Sequence, residues 1–210
     1  WNSMNTVFFA PGSTISAVEI FQNELFVGGC GFMVKDTVGN DLYLNYTGIW
    51  NGAFWSEIPG GKPNGCVSSI IFNNELYVGG DFGVAGGVSV YNIARWDGMQ
   101  WKSCEVGTYG AINTFELDTA NHKLYVGGGF PYVANSDSVG IYCQGIAIWN
   151  GVKWEAFPEV LPSGNTNCLA IYHGKLYTGS GPTRFSAWNG KHWEQIIGID
   201  ILDAITALCV

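Results

Sequence analysis

Trp96-Asp97-Gly98-Met99-Gln100-Trp101 is one copy of a pattern, W-[ND]-G-x-x-W, that returns as Trp50 to Trp55, Trp149 to Trp154 and Trp188 to Trp193. Asn-Gly or Asp-Gly between aromatic-rich runs is a strong hairpin signal, because these residues reach positive φ at low cost. With Asn51-Gly52 as a two-residue turn, Trp50 pairs with Ala53 and Trp55 with Gly48, so both indoles lie on one face as diagonal neighbours. The residue facing the second tryptophan is then Gly48, Ala94, Ala147 or Ser186, small in every copy. That arrangement predicts indoles used for packing rather than for binding.

A second element lies upstream of each copy: Leu25-Phe26-Val27-Gly28-Gly29, Leu76-Tyr77-Val78-Gly79-Gly80, Leu124-Tyr125-Val126-Gly127-Gly128 and Leu176-Tyr177-Thr178-Gly179-Ser180. Before each of these sits an apolar run joined by a tight polar turn: Ile15 to Phe21, Val67 to Phe72, Ile112 to Leu117 and Cys168 to Tyr172. One unit thus has four strands: A, B ending in the glycine pair, C ending in tryptophan, and D beginning with tryptophan. The second tryptophan recurs at 55, 101, 154 and 193. A period of this size, with four short strands per unit, predicts an all-β fold of the β-propeller type, since one meander cannot bury its own faces and must stack on neighbours. A β-sandwich is the alternative, but it gives no reason for identical side chains to return at matching positions.

The repeats run over about 15–60, 66–107, 111–160 and 166–198, with a partial unit at 205–210. Trp1 to Met4 aligns with Trp101 to Cys104 as an additional outer strand D, and Ile205 to Val210 with Val67 to Phe72 as an additional inner strand A. Four complete units plus these two strands predict either a single propeller domain or a segment of a larger one. A start at Trp1 rather than Met points to a processed chain or a piece of a longer one.

Composition restricts the partners. The net charge is −8, with only 9 Lys plus Arg. Phosphate backbones and anionic membrane surfaces both require basic patches, so nucleic acid is not an expected partner, and no apolar run is long enough for membrane insertion. The six cysteines, Cys30, Cys66, Cys104, Cys143, Cys168 and Cys209, show no CxxC spacing. They are therefore disulfide candidates rather than zinc ligands, with buried reduced thiols as the other option. Asn45-Tyr46-Thr47 is a glycosylation sequon at Asn45. Together these features favour an extracellular or cell-surface protein.

The wording Leu76-Tyr77-Val78-Gly79-Gly80-Asp81-Phe82, Ala85-Gly86-Gly87 and Asn92-Ile93-Ala94-Arg95-Trp96-Asp97-Gly98 resembles kelch-type repeats of the galactose-oxidase-like propellers. It is closest to the repeats of large secreted or surface-anchored proteins, such as bacterial surface proteins and fungal cortical markers of cell polarity. The resemblance covers roughly residues 15–210. It implies the propeller fold and carries little about function. The fourth unit departs from it by lacking the second glycine and the long loop between B and C.

Alternating strand direction places the B to C loops and D to A links on one rim, and the A to B and C to D turns on the other. The long loops share their rim with most of the cysteines, so disulfides there would pin an ordered interaction surface. Asp36, Asp41, Tyr132, Asp137 and Tyr142 are its candidate binding residues. His122, His173 and His192 fall in separate turns of the opposite rim, which argues against a metal site. Gly127-Gly128-Gly129 is not followed by a helical pattern, so it is no phosphate loop. Glu155 and Glu194 follow the second tryptophan of their units and Glu57 nearly follows it, which makes them repeat positions before they are a glycosidase pair.

The expected function is a non-catalytic extracellular module for protein interaction, adhesion or assembly, meeting a protein partner or a second copy through its terminal strands. A carbohydrate-binding, lectin-like propeller is the alternative, with a glycan as ligand. Neither role calls for a cofactor, a metal or catalytic residues. An enzyme is the least favoured class.

Overall fold

The computed structural model describes residues 8–35, 38, 40–44, 46–59, 63, 65–137, 139–161, 164–181, 184–196 and 205–208. All regular structure among them is β, and no helix is long and apolar enough to cross a membrane. The chain divides into two compact units, Trp1–Ser103 and Cys104–Val210. Each holds two antiparallel meanders.

In the first unit, β1 (Phe8–Phe21), β2 (Glu24–Lys35), β3 (Asp41–Leu44), β4 (Thr47–Trp50) and β5 (Trp55–Ser56) form one sheet, in the order β1-β2-β4-β5 with β3 beside the far end of β2. The second sheet contains β6 (Cys66–Phe72) and β7 (Glu75–Gly80), then β10 (Ile93–Trp96) and β11 (Trp101–Ser103). Between β7 and β10 a separate hairpin pairs β8 (Val84–Ala85) with β9 (Val88–Ser89). The second unit begins with β12 (Gly107–Thr108). Its first meander is β13 (Ile112–Asp118), β14 (Lys123–Gly128), β17 (Ile146–Trp149) and β18 (Trp154–Ala156). The strands β15 (Tyr132–Ala134) and β16 (Ile141–Tyr142) lie in its B to C connection. The last meander is β19 (Cys168–Tyr172), β20 (Lys175–Ser180), β21 (Arg184–Trp188) and β22 (Trp193–Gln195). The A-B-C-D unit read from the repeats is therefore present in all four sheets.

The W-[ND]-G-x-x-W turn is corrected in register. Trp50 pairs directly with Trp55, Trp96 with Trp101, Trp149 with Trp154 and Trp188 with Trp193, which leaves a four-residue loop instead of a two-residue turn. The cause is the side chain of the first loop residue. Asn51 Oδ1 accepts the N–H groups of Ala53 and Phe54, and Asp97 Oδ1 those of Met99 and Gln100. Asn150 and Asn189 do the same in their copies. Such Asx bonds hold a wider loop than the type I′ turn would. The indoles still share one face, directly opposed at 5.1–5.5 Å between ring centroids.

Ala94 accordingly faces Ser103 across the ladder and lies two residues from Trp96 on the same face. It is fully buried in a cluster with Val78, Trp96 and Trp101. Ala94→Leu is expected to destabilise by about 1–3 kcal/mol through overpacking, read as a lower urea midpoint. A midpoint equal to wild type would show that this face has spare room.

The glycine pair is explained by two different close approaches. A Cβ on the second glycine would run into the backbone of its own sheet's strand A, the Thr14 carbonyl at Gly29 and the Ala111 carbonyl at Gly128. A Cβ on the first glycine would meet a side chain from the next sheet: Cys66 Sγ at Gly28 and Thr166 Cγ2 at Gly127. Within each unit, the start of strand A of the second sheet thus seats itself on strand B of the first. At Gly179 the corresponding side chain is Ile205.

Ile205 therefore takes the position of Cys66 and Thr166, not that of Val67, and the alignment of 205–210 shifts by one residue. Residues 205–208 lie in no strand. The outer strand expected at Trp1 to Met4 lies outside the described residues.

The core of the first unit joins Phe26, Leu76, Val78 and Trp101, with a second cluster of Val27, Val34, Leu44 and Trp55 on the other face of the first sheet. In the second unit Ile146, Ile148, Phe157, Leu169 and Leu176 pack together, bordered by Tyr125, Trp188 and Trp193.

Candidate functional site

The connection between strands B and C of the third meander is expected to be a loop, yet it folds as a small sheet. Its strands are β12, β15 and β16, paired Thr108 to Val133 and Tyr132 to Tyr142. Buried Asn135 anchors the hairpin: its Nδ2 donates to Trp154 O at 3.1 Å and its Oδ1 accepts Trp154 N at 2.7 Å. Both groups of the side-chain amide are thereby satisfied on strand D, which fixes the hairpin against the meander. Glu105 adds a surface clasp, accepting from Ser136 N at 2.9 Å and Ser136 Oγ at 2.6 Å.

Of the residues named from sequence, Tyr132 and Tyr142 are brought together. Their rings pair at 5.4 Å, and they are 43% and 50% exposed. Tyr142 OH donates to Gln144 Oε1 at 3.0 Å. Tyr109, which sequence reasoning missed, joins them: its N–H donates to Tyr132 O at 2.9 Å, and it is 52% exposed. The three tyrosines thus occupy neighbouring positions across the small sheet. Asp137 is exposed at the tip of the same hairpin. Asp41 stands apart in the first unit, exposed at the start of β3 opposite Lys35. Asp36 and Asn45 lie outside the described residues, as does Cys209.

The disulfides expected at the loop rim do not form among the described cysteines. Cys30 is an exposed free thiol, Cys66, Cys143 and Cys168 are buried free thiols, and Cys104 is buried. The physical reason is visible at two of them. Cys66 Sγ fills the space over Gly28, and Cys168 Sγ lies over Gly179 while donating to Ile205 O at 3.6 Å. These side chains point into the packing between strands instead of outward to the rim. Burial pushes the thiols of Cys66 and Cys143 up to about 12, and raises that of Cys168.

Two of the carboxylates weighed as a glycosidase pair, Glu155 and Glu194, brace their own loops. Glu155 Oε1 accepts from Asn150 Nδ2 at 2.7 Å, and Glu194 Oε1 accepts from Asn189 Nδ2 at 2.6 Å. In the second sheet the same positions hold an ion pair, Asp97 to Lys102 at 2.8 Å. Each is a brace from the first residue of the W-[ND]-G loop to the strand that follows. The Asn150 bond, helped by Lys123 at 3.2 Å, holds the Glu155 carboxyl below its ordinary pKa against the effect of burial.

The opposite rim of the second unit carries a cavity of about 520 Å³. Its apolar wall is Leu117, Tyr125, Ile171, Leu176 and Trp188, and Asp118, Asn121, Lys175 and Asn189 supply polar edges. Asp118 is buried, which raises its carboxyl pKa, but bonds from Asn121 N, Asn121 Nδ2 and Tyr125 OH outweigh that and hold it low. Burial, with the Asp118 charge beside it, pushes the Tyr125 phenol up to about 12. Sequence reading missed this site, because its parts come from two repeats and from turns that individually look ordinary.

Solved structures similar to the chain include those of YCF48 and YjhT. The structure of YCF48 bound to D1 peptide aligns with a TM-score of 0.48 and 13% identity, over 87% of this chain and 52% of that one. The chain therefore spans about half the length of that protein. YjhT aligns with a TM-score of 0.50 and 11% identity, over 85% of this chain and 68% of that one. No protein-family model and no curated protein matches the sequence. The all-β meanders, together with the likeness to YjhT, identify the fold as that of a β-propeller protein.

Proposed function

We propose that the protein is a non-catalytic propeller module of the extracellular space or cell surface, which binds a protein partner through the three-stranded sheet of its second unit. The observation that carries this is the row of Tyr132 and Tyr142, half-exposed on a hairpin that Asn135 locks in place, with half-exposed Tyr109 bonded beside them. Tyrosine supplies large amphipathic contact area with few torsions to freeze, and a pre-ordered surface loses less entropy on binding. The negative charge fits a partner with basic or neutral contacts. On this reading the kelch-like wording reflects true kinship, the four meanders are consecutive blades, and Ile205 fills over Gly179 the seat that the next blade's inner strand fills elsewhere. Self-association through terminal strands is the assembly version of the same role.

A second reading has the Tyr132 and Tyr142 rings stacking on a glycan. Tyr132→Ala separates the possibilities. For a protein partner held by the tyrosine row, affinity is expected to fall by about 2 kcal/mol with thermal stability unchanged, whereas self-association through the terminal strands, followed by sedimentation, should be unaltered. Signal on a glycan array that vanishes in Tyr132→Ala would favour the sugar. Unaltered binding of every ligand found would remove the tyrosine row from the function.

A further inference from the structure

The cavity between the third and fourth meanders has a closed counterpart in the first unit, and the pair shows what the open one accepts. Both grooves are bounded on one side by an A to B turn, and on the other by strand B and the W-[ND]-G loop of the next sheet. In the first unit these are Phe21 to Glu24 facing Leu76, Trp96 and Gly98, and they leave about 60 Å³. In the second unit Leu117 to Asn121 face Leu176, Trp188 and Gly190, and they leave about 520 Å³.

One side chain and one turn make the difference. Gln22 reaches across the first groove, its Nε2 donating to Asp97 O at 3.4 Å. Its amide lies 2.5 Å from where a Cβ on Gly98 would stand, so the glycine is what admits it. The turn that presents it has only Gln22 and Asn23 between the paired residues Phe21 and Glu24. In the second unit four residues, Thr119 to His122, separate Asp118 from Lys123. Asp118 draws this longer turn inward through both Asn121 bonds, so no side chain crosses. A Cβ on Gly190 would meet nothing within 4 Å, and among the described residues the Asn189 carbonyl is offered no donor.

We infer that this cavity is a peptide site that takes a glutamine side chain from a partner chain in the place Gln22 fills in the first unit. The amide donates to Asn189 O and lies on Gly190, while its methylene stem runs between Ile171 and Trp188. A glutamate would turn an acceptor towards that carbonyl and bring a second negative charge towards Asp118. A purely apolar side chain would bury the carbonyl without a donor. The space beyond one side chain, along Leu117 and Tyr125, accommodates flanking backbone, and the Lys175 ammonium at the mouth can donate to a peptide carbonyl.

The test uses the whole chain labelled with 5-fluorotryptophan, with the Trp188 fluorine signal assigned by its loss in Trp188→Phe. Titration with the blocked peptide Ala-Gln-Ala is expected to shift that signal saturably, with a dissociation constant on the order of 1 mM. Ala-Glu-Ala should bind about tenfold more weakly. Gln22→Ala removes an exposed side chain and so leaves the fold intact. It should open the first groove, so that the Trp96 signal now responds to the same peptide. Ile171→Trp, which fills the cavity from its wall, should abolish the Trp188 response. Equal affinity for the two peptides, a stronger response to N-acetylglucosamine, or no saturable shift overturns the inference. None of these results bears on the tyrosine row, whose test reads a different surface.

Discussion

Trp154→Ala is expected to cost the second unit about 3–5 kcal/mol, the largest effect of any single truncation in it. The side chain is 1% exposed and packs on Trp149 at 5.1 Å between centroids. Its Nε1 donates to Cys104 O at 2.9 Å, so truncation also strands a buried carbonyl. The backbone of the same residue holds Asn135, which makes Trp154 the point where strand D supports the loop sheet. Trp193→Ala should cost less, because that indole is only partly buried and sits at the edge of the last meander. Urea unfolding of the two variants decides the matter. A Trp154→Ala loss below about 1 kcal/mol would mean that the indole pair is not a core element.

The second large effect is expected at Gly128. A Cβ there would collide with the Ala111 carbonyl of the adjacent inner strand, and backbone cannot rotate away as a side-chain tip could. The same residue bonds on both sides, its N–H to Gly145 O and its carbonyl from Thr166 N. Gly128→Ala must therefore separate strands A and B or break one of these bonds, at about 3 kcal/mol. Gly52→Ala provides the contrast, since a Cβ there meets nothing and only the φ of +95° resists, at about 1 kcal/mol. Thermal melts showing the two losses equal would refute close approach as the reason for the glycine pair.

The repeating unit was legible because its signals are local. Leu124 to Gly128 and the W-[ND]-G stretches each declare a strand and its end, and their recurrence gives the meander. The turn register was not legible. The choice between two-residue and four-residue loops depends on whether Asn51 Oδ1 captures the Ala53 and Phe54 amides, which the dipeptide Asn-Gly does not disclose. Tyr132 and Tyr142 could be picked out as loop aromatics, but Tyr109 could not, because only the fold of β12 onto β15 brings it beside them. The cysteines were read by count and compartment. Their surroundings, a glycine under Cys66 from the sheet before and one under Cys168 from the next strand of its own hairpin, depend on register and on sheet packing that count and spacing do not disclose. The groove escaped for the same reason, since it depends on the Asp118 turn being longer than the Gln22 turn and on Trp188 belonging to the following repeat.

Cys66 sits where its sheet plugs into the glycine of the sheet before it, and burial keeps its thiol protonated far above neutral pH. An oxidant or alkylating reagent needs the thiolate, and it needs room to reach the sulfur. Both become available only when the first two sheets part. The chemical lifetime of this cysteine thus reports the opening of one joint: it follows the fraction of time the sheets are apart when they reclose faster than the reagent reacts, and the rate of their separation when the reagent is faster.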